Sequence, residues 1–113
     1  MKPTFDTHAV HAALLPDLCP VVPGATVSKP LVNTPSLRQV LFSMDAEQEM
    51  SDHKAPFVAT VQIITGRLTF TVDGASHDMR PGSWLLMPPN ALHALKAVEP
   101  TIFLLTLVKG DAA

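Results

Sequence analysis

Tyrosine is absent from this chain of 113 residues, cysteine and tryptophan occur once each, and only 16% of the residues are charged. Because Cys19 is alone, no intrachain disulfide forms, and we expect a reducing, cytoplasmic setting in which Cys19 acts as a small hydrophobe. The net charge of −2 comes without any basic stripe, which argues against a nucleic-acid partner. No apolar run approaches the ~20 residues that span a bilayer, and the N-terminus fits a signal peptide poorly, so we expect no membrane partner.

Proline, in contrast, is abundant and divides the chain into two parts. Residues 1–24 contain the alanine- and leucine-rich stretch from Ala9 to Leu15, which favours a short helix, and three prolines that stop any continuation. We therefore predict an N-terminal arm over residues 1–24 that packs on the main body or on a second subunit. Residues 25–113 form the single domain that this length allows.

From residue 25 onward the chain consists of short segments with alternating apolar and polar residues, separated by turn residues. In Arg67–Val72 the alternation is regular, and Asp73-Gly74 directly after it is a hairpin turn. Residues 45–51 are polar and acidic, which predicts a turn. These segments predict an all-β sandwich or small barrel. The predicted strands cover residues 26–32, 36–43, 57–65, 67–72, 75–79, 84–87, 92–98 and 101–109.

The segment from Gly82 to His93 places the imidazole of His93 at the end of a predicted strand, after a Pro-Pro-Asn corner. Here the sequence resembles the cupin superfamily, whose second motif reads Gly, five residues, Pro-x-Gly, two residues, His, three residues, Asn. Gly82, Pro88 and His93 match that motif. Asn90 takes the glycine place, which fits a position of positive φ, and Ala97 departs from the final asparagine.

The first motif of the cupins is degraded in this chain. It reads Gly, five residues, His-x-His, three or four residues, Glu, six residues, Gly. When Gly66 is aligned with its final glycine, His53 takes the first histidine place, Ala55 the second, and Ala59 the glutamate place. Two of the four usual metal ligands are therefore missing, and the resemblance carries over only His53 and His93.

The resemblance implies an all-β fold, the double-stranded β-helix or jelly-roll barrel of small RmlC-like cupins, with a short N-terminal arm. It implies a homodimer, which the apolar arm and the apolar last strand also favour. His53 and His93 are the candidate metal ligands, with His77 and Gln62 as weaker candidates. So few ligand side chains are equally compatible with one bound divalent metal ion (Zn, Fe, Mn or Ni) and with none, since catalytic zinc usually has three protein ligands.

Large apolar side chains and one histidine form the candidate lining of a ligand pocket, although plain core packing is the commoner role of such residues. These residues are Phe57, Phe70, His77, Trp84 and Met87. Three functions stay open, because a fold does not fix an activity. The barrel binds a small molecule, with or without a reduced metal site; it is a metal-dependent oxygenase or isomerase; or it is a metal-free binding or sensory module. Whether the protein is an enzyme at all is therefore open.

Overall fold

The computed structural model describes residues 2–110, and this part of the chain forms two antiparallel sheets with one short helix. The predicted all-β class is confirmed. No helix among these residues is long and apolar enough to cross a membrane. The elements are α1 (Leu15–Leu18), β1 (Thr26–Asn33), β2 (Leu37–Met44), β3 (Glu49–His53), β4 (Val58–Thr65), β5 (Leu68–Val72), β6 (Ala75–Met79), β7 (Trp84–Met87), β8 (His93–Ala97) and β9 (Thr101–Val108).

The two sheets face each other with the strand orders β1-β2-β9-β4-β7 and β3-β8-β5-β6. Because side chains alternate between the two faces of a strand, each sheet turns one apolar row inward. Phe70 of the smaller sheet and Val61 and Phe103 of the larger sheet meet in the core between them. The chain thus forms the two-layered barrel that its alternating pattern predicts.

The N-terminal arm covers part of the outer face of the five-stranded sheet. The amide of Phe5 donates a hydrogen bond of 2.9 Å to the carbonyl of Leu31, and Cys19 of the arm and Ile102 of β9 lie buried where the arm meets the sheet. The buried hydroxyl of Ser43 on β2 donates to the carbonyl of Cys19. Cys19 is therefore the small buried hydrophobe that the sequence predicts, and the outward face of β9 packs on the chain's own arm.

Two local predictions are wrong. Residues 9–14 are not helical; they are exposed, and helix α1 begins only at Leu15. A short helix is marginal without an apolar face packed on something, and here Val10 is 97% exposed. Strand β3 begins at Glu49, inside the predicted turn. As an edge strand it buries little, so its residues carry almost no alternating apolar signal.

Gly66 joins β4 to β5 at a place where only a glycine fits. Its φ is +88°, and a Cβ there would collide with the carbonyl oxygen of Pro100 and lie 2.6 Å from the Cα of Thr101. The Thr101 hydroxyl also accepts a 3.1 Å hydrogen bond from the Arg67 amide, which holds β9 against this turn. Gly74 has a similar φ of +86° but nothing within 4 Å.

We expect Gly66→Ala to lower the free energy of unfolding by about 3 kcal/mol or more, because it combines positive-φ strain with a backbone collision. Gly74→Ala is the matched control, and it should cost about 1–2 kcal/mol, the strain alone. Urea denaturation followed by tryptophan fluorescence measures both. Equal losses for the two variants would show that the close approach to Pro100 has no energetic weight.

Candidate functional site

His53 and His93 lie side by side at one end of the barrel. Strands β3 and β8 pair with His53 directly opposite His93, and an irregularity in the ladder between Met50 and His53 sets this register. The two ring centroids are 4.0 Å apart with an angle of 61° between the ring planes. The structure therefore brings together the two histidines that the cupin resemblance singles out.

The corner before β8 fixes the position of His93. Asn90 has a φ of +66°, as expected for a residue in the glycine place, and its amide donates a 2.7 Å hydrogen bond to the carbonyl of Ala55. On the other side, the carboxylate of Asp73 accepts a bond of 3.0 Å from the Leu92 amide. The Asp73 amide donates to the carbonyl of Leu92 across 2.8 Å. Both flanks of the corner are thereby tied to neighbouring segments.

Backbone carbonyls set the tautomer of both rings. Nδ1 of His53 lies 2.9 Å from the carbonyl oxygen of Ser51, and Nδ1 of His93 lies 3.0 Å from that of Ala91. Since a carbonyl oxygen only accepts, each Nδ1 carries a proton and donates it. In the neutral rings, Nε2 then holds a lone pair that is free to accept a hydrogen bond or to bind a metal ion.

A cavity of about 190 Å³ opens beside the two rings, between the inner faces of the sheets. Its walls are largely apolar, and its polar lining consists of one guanidinium and two imidazoles. Ala55 and Ala59 both line it, so the places of the missing cupin ligands are indeed part of the cavity wall. The lining residues are Arg38, Val40, Phe42, His53, Ala55, Ala59, Met87, His93, Leu105 and Leu107.

Burial keeps His93 neutral. The side chain is 8% exposed and its ring stacks on Phe70 with a centroid distance of 5.8 Å. This burial lowers the pKa of His93 below the ordinary value of 6.5, its bond to the Ala91 carbonyl opposes that shift, and positive charge on His53 adds to it. At neutral pH the ring of His93 is therefore a hydrogen-bond acceptor at Nε2 rather than a cation.

These residues do not fit a resident divalent metal ion. Two imidazoles bonded to one tetrahedral zinc at ~2.0–2.1 Å place their ring centres about 5 Å apart, farther than the 4.0 Å between His53 and His93. Within residues 2–110, no three His, Cys, Asp or Glu side chains are grouped so that they could hold a metal. In this described part of the chain, no carboxylate lines the cavity to balance the charge of an ion.

Three of the other candidate residues lie away from the histidine pair. Gln62 points outward from β4, opposite Trp84 in the ladder, so it does not join His53 and His93. Trp84 is 63% exposed, because β7 turns Leu85 and Met87 inward instead. His77 is exposed on the edge strand β6, where it lines a separate groove together with Trp84.

The remaining three candidates differ in their relation to the cavity. Met87 lines it directly. Phe70 supports His93 from the core and borders a smaller adjoining space of about 40 Å³. Phe57 is half-buried just before β4 and is not among the residues that line the histidine cavity.

The sequence reasoning missed Arg38, Val40 and Phe42 of β2, and Leu105 and Leu107 of β9, as lining residues. A signal for Arg38 is present in the sequence. In the run from Arg38 to Met44, every second residue faces inward, and Arg38 is the one charged member of that row. Because the other row of β2 is also partly apolar, the pattern does not tell which row is the inner one.

A family model described as the AraC-like ligand binding domain matches residues 39–108, more than half of the chain. No curated protein matches the chain significantly. The matched segment includes both histidines and most of the cavity wall, and it stops just short of Arg38.

Solved structures share the architecture. A conserved protein of unknown function from Streptococcus pyogenes has a TM-score of 0.86 and 29% identity, over 99% of this chain and 98% of its own. A cupin superfamily protein from Desulfitobacterium hafniense has a TM-score of 0.81 and 20% identity, over 85% and 88% of the two chains. A cupin 2 conserved barrel domain protein from Leptotrichia buccalis has a TM-score of 0.81 and 32% identity, over 84% of this chain but only 46% of its own. The predicted cupin-type barrel is confirmed.

We expect the ring of His93 to titrate with a midpoint below 6.5, because burial disfavours its charged form. Between that midpoint and 6.5 the unfolded chain binds more protons than the folded protein, so stability is fully present above 6.5 and falls as the pH drops through this window. NMR titration of the ring protons and urea denaturation from pH 8 to pH 5 measure the two effects. His53→Gln should raise the midpoint, since it removes a neighbouring charge. A midpoint at or above 6.5 would contradict the buried neutral ring.

Proposed function

The chain belongs to the family of AraC-like ligand binding domains, which are cupin-type barrels, and on that basis we propose that it reversibly binds a small organic molecule beside His93. In this proposal no resident metal ion takes part. The observation that carries it is the cavity itself, in which apolar walls surround two imidazoles whose Nδ1 atoms are bound to backbone carbonyls and whose Nε2 atoms are free. Such a mixture of apolar surface and a few placed polar groups is typical of ligand sites.

The size and polarity of the cavity determine which kind of molecule it can bind. A volume of about 190 Å³ equals roughly six water molecules at their share of the liquid, so the ligand is small. Phe42, Met87 and Leu105 offer it apolar contacts. An O–H or N–H group of the ligand donates to Nε2 of His93, which accepts no hydrogen bond from residues 2–110.

Binding is better supported than turnover. Among residues 2–110, the cavity lining holds no hydroxyl, thiol or carboxylate group, so the Ser or Cys nucleophile and the carboxylate that commonly work with a catalytic imidazole are absent from it. The oxygenase or isomerase alternative depends on a metal ion, for which the four-donor set of the cupins is reduced to two. The matching family model is itself described as a ligand binding domain, which supports a binding or sensory role.

Other partners of the protein are proposed from its surface. Arg67 and Arg80 pair with Asp78, and Lys96 pairs with Glu47 and Glu49, so three of the eight basic side chains form ion pairs with acidic neighbours. We propose neither a nucleic-acid nor a membrane partner. The free, buried thiol of Cys19 supports a reducing compartment, the cytoplasm.

A second copy of the chain is the protein partner that we propose. The arm leaves part of the outer face of the five-stranded sheet uncovered, where Trp84 is 63% and Leu86 is 51% exposed. Through the ladder, Trp84 adjoins Gln62 and Gln62 adjoins Leu104, which borders the groove beside the arm. Val10 in the arm is 97% exposed. Exposed apolar surface of this kind marks association sites.

Phenol, a small apolar molecule with one O–H donor, is a direct probe of the cavity. We expect it to shift the amide signals of Ala59, Met87 and Leu105 in ¹H–¹⁵N NMR spectra. His93→Ala should weaken its binding about three- to tenfold, the usual weight of one hydrogen bond. His77→Ala, which removes an exposed histidine from the edge strand, is the matched control and should leave binding unchanged. Shifts confined to residues outside the cavity would overturn the proposal.

The same protein samples distinguish metal-free binding from the metal-assisted alternative, which the two free Nε2 atoms favour. Metal analysis of the purified protein should find no stoichiometric Zn, Fe, Mn or Ni, and EDTA should leave phenol binding intact. Stoichiometric metal that both His53→Ala and His93→Ala abolish would replace the proposal with a reduced metal site.

For the second copy, we expect the wild-type protein to elute as a dimer at micromolar concentrations in size-exclusion chromatography with light scattering. The double variant Trp84→Ser/Leu86→Ser should be a monomer, because it removes the apolar part of the uncovered face. Val98→Ser is the control, since Val98 is also apolar and 44% exposed but lies outside this face, in the turn before β9. A monomeric wild type, or a dimer that persists in the double variant, contradicts this interface.

A further inference from the structure

Arg38 is set apart from the other arginines by its surroundings. It is half-buried, and it lines the cavity with Val40 and Phe42 from the inner row of β2. Arg67 and Arg80 both bond the carboxylate of Asp78, across 2.9 and 3.2 Å. None of the ion pairs or side-chain hydrogen bonds formed within residues 2–110 includes Arg38. A permanent positive charge thus borders an apolar cavity, and no acidic side chain among residues 2–110 pairs with it.

We propose that the cavity selects a small organic acid, whose carboxylate pairs with the guanidinium of Arg38. The inference rests on the proposed function, since it names the class of molecule that the cavity beside His93 takes. The apolar body of the acid lies between Phe42, Met87 and Leu105. A donor group at its far end, where the molecule has one, reaches Nε2 of His93.

The chemistry of the lining favours an anion over a neutral or cationic ligand. All of its polar side-chain atoms are nitrogens, on Arg38, His53 and His93, and no carboxylate is among them. A guanidinium stays charged at every physiological pH and presents parallel N–H donors that match the two oxygens of a carboxylate. Partial burial strengthens this pairing compared with the same pair in water, and a cationic ligand would be repelled.

The same walls favour an organic acid over a bare inorganic anion. Seven of the ten lining residues have apolar side chains, and these surfaces gain nothing from contact with phosphate or sulfate. An acid with an aromatic or branched aliphatic body buries its apolar part there while its carboxylate stays at Arg38. Inorganic phosphate is therefore a probe that separates an organic-acid site from a general anion site.

Isosteric pairs of acids and amides test the proposal. Benzoate and benzamide, phenylacetate and phenylacetamide, and 3-hydroxybutyrate and 3-hydroxybutyramide are titrated into the full chain, with cavity amide signals as the NMR readout. At least one acid should bind about tenfold or more tightly than its amide, the usual weight of a hydrogen bond to a charged group. Arg38→Met should abolish that preference and leave the affinity of the amide within about twofold.

Two further variants keep the test independent of folding defects. Arg38→Lys retains the charge without the planar pair of donors, and it should keep part of the preference for the acid. Lys54→Met removes a positive charge next to Ala55 from an exposed position and should leave the preference intact. A salt titration adds a second readout, because the preference for the acid should shrink at high ionic strength.

The outcomes separate the two proposals. Acids and amides that perturb the cavity with equal affinity would overturn the role of Arg38 and leave the binding function standing. Compounds that perturb no cavity residue at all would overturn both. Inorganic phosphate that binds as tightly as the best acid, and loses this affinity in Arg38→Met, would replace the organic acid by a general anion.

Discussion

The geometry of the site depends on the hydrogen bonds that hold the corner between β7 and β8. The Asn90 amide reaches the carbonyl of Ala55 on one side, and Asp73 binds both backbone groups of Leu92 on the other. With both flanks tied, β8 begins where His93 faces His53 and the cavity. The left-handed conformation of Asn90 makes this possible, because a chain in ordinary β or α geometry would not turn as sharply at this point.

The cavity wall shows what the loss of two cupin ligands does to such a site. Ala55 and Ala59 replace polar donors with methyl groups, so the wall gains apolar surface and loses the negative charge that a cation requires. The two remaining imidazoles are then available for hydrogen bonding in place of metal coordination. Carbonyl groups hold both rings in one tautomer, and burial lowers the pKa of His93, so that this ring presents the lone pair of Nε2 at neutral pH. A positively charged neighbour, Arg38, becomes the dominant charge of the lining.

The sequence predicted the barrel and half of the site because both have strong local signatures. Turn glycines, regular alternation and the Pro-Pro-Asn corner place eight of the nine strands found in residues 2–110, and the motif places His93. Edge strand β3 and residues 9–14 of the arm have no such signature, since little of their surface is buried. Arg38 was missed, and Trp84 was wrongly placed in the pocket lining, for a related reason. A strand with apolar residues on both rows does not tell which row faces the core until the partner strands are known.

Strands β2 and β9 separate the arm from the cavity, and each carries side chains into both. On β9, Leu104 contacts the outer cluster beneath the arm, whereas Leu105 lies in the cavity wall one residue later. The backbone of β9 therefore supports side-chain packing on both of its faces. A displacement of this strand changes the contacts in the cavity wall and in the cluster beneath the arm. By thermodynamic reciprocity, the free energy with which a bound molecule displaces β9 also changes the stability of the arm's packing on the sheet. A molecule that displaced β9 on binding in the cavity would therefore also change the contacts of the arm on the outside of the barrel.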